Sequence, residues 1–346
     1  MATKRSSDIN FCTPANDPVP AAVGLDPSAA TRVVLSVCSC AAGTGRRGRR
    51  TRADPLPPRE VAALNIHPTA IVSPQSYLGR NVTIGPYCVI EADVSIGDGC
   101  RLAAGAVIKS GTTLGAENVV SEGAVLGGEP QVMPAAKQLG RLVIGAGNSI
   151  RENVTIHRAL KPDAETRVGD GNILMVNAHV AHDCVVGNQV ILVNNTMLAG
   201  HVEVADRAYV AGGAGAQQFC RIGRLATVGA QARLTKDLPP FVTMDGVTCL
   251  VVGLNLVGIR RAGYDRTDVR QLKDAYRLIY RSGLTWKEVL EQLPKTFTSG
   301  PATEFYEFFR RGERGFVPER RAPVQAVVPM VSPEADENPE LHLHAG

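Results

Sequence analysis

Aromatic residues are scarce in this sequence: of 346 residues, one is Trp, seven are Tyr and eight are Phe. A core with so few rings must be filled by Val, Ile, Leu and Ala, and the hydrophobic fraction of 44% says that a core exists. Runs of 18 apolar residues are also missing, so no segment reads as a membrane-spanning helix. Charge of one sign is not in excess. The formal net charge of +4 is too small to argue for nucleic acid as a partner, and much of it sits in the run Arg46-Arg47-Gly48-Arg49-Arg50. Eight cysteines are present, but a chain of this size needs no disulfide staples, and a reduced, cytoplasmic protein is expected.

Residues 1–63 hold no steady period and are rich in Ala, Pro, Ser and Arg, the composition of a disordered extension. An organelle transit peptide is the alternative, and Asp8, Asp17 and Asp26 speak against it because such peptides avoid acids. From Ile66 an apolar residue recurs every six positions, through Val72, Leu78 and Ile84 to Val228 and Leu234. Two interruptions, 127–143 and 157–167, preserve the frame and read as external loops able to reach substrates or neighbouring subunits.

A six-residue period suits neither an α-helix nor a free alternating strand. It suits a triangular solenoid over 64–238, in which three hexads make a coil and residues 18 apart stack vertically. The large apolar residue is expected at the corner of the triangle and a small inward residue four places later. Cys88, Cys100, Cys184 and Cys220 all fall in that small slot, which makes them core filler. The hexads end at Pro239-Pro240, and 239–315 takes on helical spacing. Val269, Leu272, Tyr276 and Ile279 share a face; Thr285 and Glu288 form a capping box for a second helix; a third lies near 302–311. Residues 316–346 read as a tail.

Most histidines in a solenoid are solvated turn residues. His182 stands apart because it lies two places after Val180, with Asp183 beside it, and the 18-residue stack sets Gly200 and then Gln218 above it. His201 stacks above Asp183. An imidazole beside a carboxylate can act as general base for a hydroxyl or amine, and a glycine one coil up can offer a bare N–H to a developing oxyanion. Acyl transfer from a thioester needs nothing more.

The stretches Arg151-Glu-Asn-Val-Thr-Ile-His-Arg158, Asn177-Ala-His-Val-Ala-His-Asp-Cys184 and Leu198-Ala-Gly-His-Val202 resemble the UDP-N-acetylglucosamine 3-O-acyltransferases of lipid A synthesis. So do Gln218-Phe-Cys220, Leu238-Pro-Pro-Phe241, Gly253-Leu-Asn255 and Leu278-Ile-Tyr-Arg-Ser-Gly283, and the similarity spans about 64 to 312. The resemblance implies a left-handed parallel β-helix with a C-terminal helical domain, and a homotrimer with active sites between subunits. The implied reaction is the first step of lipid A biosynthesis, in which a (3-hydroxy)acyl group moves from acyl carrier protein to the sugar 3-hydroxyl with no further cofactor and no metal.

Carried over, the resemblance makes His182 the base, Asp183 its orienting carboxylate and Gly200 the oxyanion donor. It places His179, His201, Gln218, Asn255, Gln131 and Arg261 against the nucleotide sugar or the donor arm, and Ala230 in the acyl groove, where long-chain members carry glycine. The sequence also departs from the family. Val132 and Pro134 stand where its loop carries aspartate and lysine, with Lys137 the nearest substitute, Gln217 replaces a histidine, and Ala262 replaces a phosphate-binding arginine. A diverged paralogue with another hydroxyl or amine acceptor is therefore a second reading, and a non-catalytic scaffold a third. The His182–Gly200 file argues against the scaffold, which has no use for it. The sister acyltransferase acting later in lipid A synthesis is disfavoured because it carries an added folded N-terminal domain, for which 1–63 is short and irregular.

Overall fold

The computed structural model describes residues 64–134 and 138–320; the expectations for 1–63, Lys137 and 321–346 lie outside them. The hexads form short strands, mostly two residues long, that stack in parallel into three sheets of 11, 9 and 8 strands. Successive strands pass to successive sheets, so the chain winds as a β-helix of triangular section. The first residue of each strand faces out and the second faces in, as the period of two demands. Ile84, Ile90, Ile96, Leu126, Ile150 and Leu192 are all at most 1% exposed. These large residues therefore sit on the sides of the prism and not at its corners, as had been expected. The corners are made by four-residue turns whose third residue is left-handed. Asn and Asp, which tolerate that conformation, hold it at Asn81, Asp93, Asn153, Asn177 and Asn195.

The small slot is as anticipated. Cys88, Cys100, Cys184 and Cys220 are 0% exposed, and three of the thiols donate to the carbonyls of Ala103, Gly115 and Ala199 on the next coil. Burial pushes the Cys184 thiol up to about 12, which makes it an unreactive filler. One corner uses asparagine in this slot. Asn118, Asn148 and Asn172 are buried in a column, the carboxamide oxygen of each accepting the backbone N–H of the next coil.

Coil stacking offsets are 18 residues over most of the helix, as in Asn65↔Thr83. They become 30 across the first loop, where Asn148 donates to Asn118, and 24 across the second, where Thr155 meets His179. Both loops leave the 9-stranded sheet, after Val125–Gly128 and Thr155–His157, and enter the 8-stranded sheet at Arg141–Ile144 and Glu165–Val168. They therefore emerge from the same corner of the prism.

The stacking runs past Pro239-Pro240, because Val242–Met244 adds a parallel strand and Val251–Leu254 folds back on it antiparallel. Four helices follow where three had been expected: α1 Leu256–Arg261, α2 Arg266–Arg281, α3 Trp286–Thr296 and α4 Thr303–Phe309. Six residues give α1 too little periodicity to be seen in sequence. The buried face of α2 includes Leu272, Tyr276 and Ile279, with Val269 at its margin, and Thr285 and Glu288 form the capping box of α3. Residues 316–320 are not a tail. They bridge to Asp237 and Val251, and Glu319 accepts the Tyr276 hydroxyl at 2.7 Å. The cap is tied to the β-helix by Arg221, whose guanidinium donates to the Phe308 carbonyl at 3.0 Å, and by Arg224 on Glu304. Among the described residues no helix is long and apolar enough to cross a membrane.

Candidate active site

The corner that ejects both loops also carries the turns Ala181–Cys184, Ala199–Val202 and Gln217–Cys220, one above another. His182 Nδ1 and Asp183 Oδ2 are 2.8 Å apart. The left-handed backbone of Asp183, φ 59°, turns its carboxylate back toward the preceding side chain. Its own N–H donates to Thr166 Oγ1 at 2.8 Å, which fixes the turn. The same Oδ2 accepts the Leu160 N–H at 3.2 Å and lies 3.8 Å from His201 Nε2.

His182 lies in a turn of the prism, and it is nevertheless only 5% exposed. Gly200 and His201 cover it from above, and the Leu160 N–H reaches its partner Asp183. His201 meets it edge-on at 5.3 Å and is itself stacked on Phe219 at 4.6 Å. Gly200 is spaced tightly against the imidazole: a Cβ there would lie 2.7 Å from His182 Nε2 and closer still to Cε1. The Gly200 N–H donates to no acceptor among the described residues, whereas the neighbouring N–H groups of Ala199 and His201 bind Ala216 and His182 carbonyls.

A groove of about 840 Å³ runs along the outer face of the 9-stranded sheet from this corner. Its walls include Gln131, His179, His182, Gly200 and Gln218, five of the residues singled out in sequence. His201, whose ring lies behind Gly200, faces Asp183. Asn255 is elsewhere: it caps α1, its Oδ1 accepting the Gly258 N–H at 2.9 Å and its Nδ2 donating to the Leu225 carbonyl at 2.8 Å. Arg261 is exposed at the end of α1, and Ala230 is an exposed turn residue beside the groove residues Gln231 and Ala232.

His157 and Thr155 were not assigned a site role in sequence, yet both line the groove. Thr155 Oγ1 is 2.7 Å from His179 Nδ1, and the His157 ring meets that of His179 edge-on at 4.9 Å. Burial lowers the His179 imidazole. It lowers His157 further, to about 4, with His179 and His182 adding to the effect. A histidine kept neutral in the folded state opposes folding once its unfolded form binds a proton. Its contribution is intact above about 6.5 and is lost as pH falls toward 4. The unfolding midpoint of the protein should therefore drop over that window, and His157→Gln should flatten the drop; an unchanged slope in thermal melts from pH 7 to 4 would contradict this.

Fold and corner together define a hexapeptide-repeat transferase with a histidine–carboxylate pair at its centre. The family model for the bacterial transferase hexapeptide matches residues 75–110, and that for the second domain of UDP-N-acetylglucosamine O-acyltransferase matches 237–317. An acyl-[acyl-carrier-protein]–UDP-N-acetylglucosamine O-acyltransferase of Verminephrobacter eiseniae is 46% identical over 234 residues, covering 66% of this chain and 89% of its own. One of Gloeothece citriformis is 42% identical over 195 residues, 55% of this chain and 70% of its own. Among solved structures, the UDP-N-acetylglucosamine O-acyltransferase of Moraxella catarrhalis superposes with a TM-score of 0.70 at 37% identity, covering 73% of this chain and 99% of that one. The Arabidopsis UDP-N-acetylglucosamine acyltransferase does so at 0.64 and 33%, with coverages of 73% and 99%. The chain belongs to the acyl-[acyl-carrier-protein]–UDP-N-acetylglucosamine O-acyltransferase family, and its β-helix is left-handed.

Proposed function

We propose that this protein transfers an acyl group from acyl carrier protein to the 3-hydroxyl of UDP-N-acetylglucosamine, the first step of lipid A biosynthesis, with His182 as general base. The observation that carries the proposal is the His182–Asp183 pair at 2.8 Å with Gly200 packed over Nε2. Asp183 on Nδ1 selects the tautomer that leaves Nε2 free to accept a proton. The acceptor hydroxyl gives its proton to Nε2 as its oxygen attacks the thioester carbonyl. Asp183 stabilises the imidazolium that results, and the unpaired Gly200 N–H meets the oxyanion of the tetrahedral intermediate. Collapse breaks the C–S bond, and the departing thiolate takes the proton back from the imidazolium. The chemistry uses no resident cofactor.

Purified protein incubated with an acyl carrier protein thioester and UDP-N-acetylglucosamine should yield the O-acylated nucleotide sugar. No product with this acceptor, but product with another sugar from a panel, would move the assignment to a different acceptor. Val132, Pro134 and Ala262, none of which can meet a phosphate with charge, are the observations that favour that second reading.

The assembly that fits is a homotrimer. Below the groove the outward positions of the 9-stranded sheet are Ile71, Val89, Val107 and Val125, an apolar strip on one side of the prism, and such a strip favours a closed ring. Sedimentation at micromolar concentration should give three times the mass of the chain; a monomer would refute this. The compartment that suits the free thiols of Cys88, Cys100, Cys184, Cys220 and Cys249 is the reducing cytoplasm.

A further inference from the structure

One hydrogen bond recurs at the corners of the prism. The N–H of the left-handed turn residue donates to the carbonyl of the second turn residue one coil below. Glu117, Asn177, Gln189, His201 and Phe219 donate in this way to Asp98, Glu152, Asp170, His182 and Gly200. Asp183 departs from the rule. Beneath it the second loop leaves the prism between Thr155–His157 and Glu165–Val168, so the chain below is loop and not corner turn. The Asp183 N–H donates instead to Thr166 Oγ1 at 2.8 Å. The same substitution serves Tyr87 above the first coil, through Thr69 Oγ1 at 3.1 Å. Thr166 is fully buried and is not among the groove walls. Its backbone is clamped, because Glu165–Val168 pairs along its length with Arg141–Ile144. A β-branched side chain on such a strand has little freedom to turn away.

We propose that Thr166 is a positioning residue for acyl transfer: its hydroxyl takes the place of the carbonyl, keeps Asp183 left-handed and so aims the carboxylate at His182 Nδ1. The inference rests on the reading of His182 and Asp183 as base and orienting group. A left-handed residue other than glycine persists only where its surroundings hold it. The second loop grips Asp183 at both ends, with Thr166 on the backbone and the Leu160 N–H on Oδ2 at 3.2 Å. Without the hydroxyl the peptide can rotate and carry the carboxylate away from Nδ1. The imidazole is then free to take the tautomer with its proton on Nε2, which cannot act as a base. Thr112 supplies a built-in comparison. It lies in the same inward column, which runs Thr112, Leu142, Thr166, and it is equally buried. Its Oγ1 has no hydrogen-bond partner among the described residues.

Thr166→Val and the smaller Thr166→Ala remove the hydroxyl, Thr166→Ser keeps it, and Thr112→Val makes the same change where no bond is lost. The kcat of Thr166→Val should fall about tenfold or more, since a misplacement of about 1 Å can reduce rate by about 10²-fold. The KM for both substrates should change little. Thr166→Ser should recover most of the loss, and Thr112→Val should turn over as the wild type does. Equal losses in the two valine variants would make the effect one of packing and overturn the proposal. Nitrogen–proton correlation spectra of the histidines read the His182 tautomer without turnover, with His182→Ala to assign the signals. The wild type should carry the proton on Nδ1, and Thr166→Val and Thr166→Ala should show a population with it on Nε2. A tautomer unmoved in both variants overturns the proposal. A tautomer that moves while kcat stays intact counts instead against His182 as the base, so the two failures are distinguishable.

Discussion

Replacing His182 with alanine is expected to lower turnover by about 10²- to 10⁴-fold, the range that positioned proton transfer supplies. The effect should fall on kcat, because His182, though part of the groove wall, is held by Asp183 and exposes little area for binding. Its removal is not free of structural cost, contrary to what an exposed turn would suggest. The His182 side chain is 7% exposed, and the Asp183 carboxylate, 12% exposed, loses its closest partner with it. A buried carboxylate deprived of a donor is destabilised by about 1–3 kcal/mol. Part of this is offset because the Leu160 N–H remains on Asp183 Oδ2. Thermal midpoint and turnover should therefore be measured together, and turnover compared well below the midpoint of the variant. His201→Ala should be the milder change in kcat, since its Nε2 stands 3.8 Å from Asp183 and behind Gly200. Near-normal turnover in folded His182→Ala would end the assignment of the base.

How far the site could be read in advance depended on the stacking offset. Above the second loop the offset is 18 residues, so the file of His182, Gly200 and Gln218, with His201 over Asp183, followed from the hexads alone. Across the loops the offset changes to 24 and 30, and columns found by adding 18 no longer exist. That is why Thr155 beneath His179, and the edge-on contact of His157 with His179, were not read from the sequence although both residues lay in a recognised motif. The inward residues and the small cysteine slot were legible because each depends on one strand's own period. The Leu160 contact on Asp183 was not, because it comes from a loop that carries no period. The same limit applies to α1 and to 316–320, which are placed by contacts with Asp237, Val251 and Tyr276. Asn255 teaches the converse: a motif residue carried over as a ligand contact has both side-chain polar atoms occupied in capping α1 and holding Leu225.

Gly200→Ala isolates geometry from chemistry, because it leaves every titrating group in place. The backbone at 200 is not left-handed, since Gly200 is absent from the residues with positive φ, so alanine meets no conformational barrier there. The obstacle is the methyl group itself, which would stand 2.7 Å from His182 Nε2 and nearer to Cε1. Those distances are well inside van der Waals contact. The imidazole cannot yield downward without breaking its 2.8 Å bond to Asp183. The turn must then open, or the ring must tilt, and the Gly200 N–H moves relative to Nε2 in either case. Overpacking of this kind costs about 1–3 kcal/mol in stability, tolerable for a solenoid of this length. A displacement of about 1 Å between reacting groups can reduce rate by about 10²-fold, and loss of an oxyanion donor acts in the same direction. The expected result is a folded protein whose kcat is reduced by about two orders of magnitude or more, with KM for both substrates little changed. Gly212→Ala is the matched control, a turn glycine with ordinary φ whose added Cβ would find its nearest neighbour at 3.5 Å, on Asn194 O. It should retain turnover. If Gly200→Ala were as active as Gly212→Ala, neither the close approach of Gly200 to His182 nor its N–H could be part of the catalytic machinery.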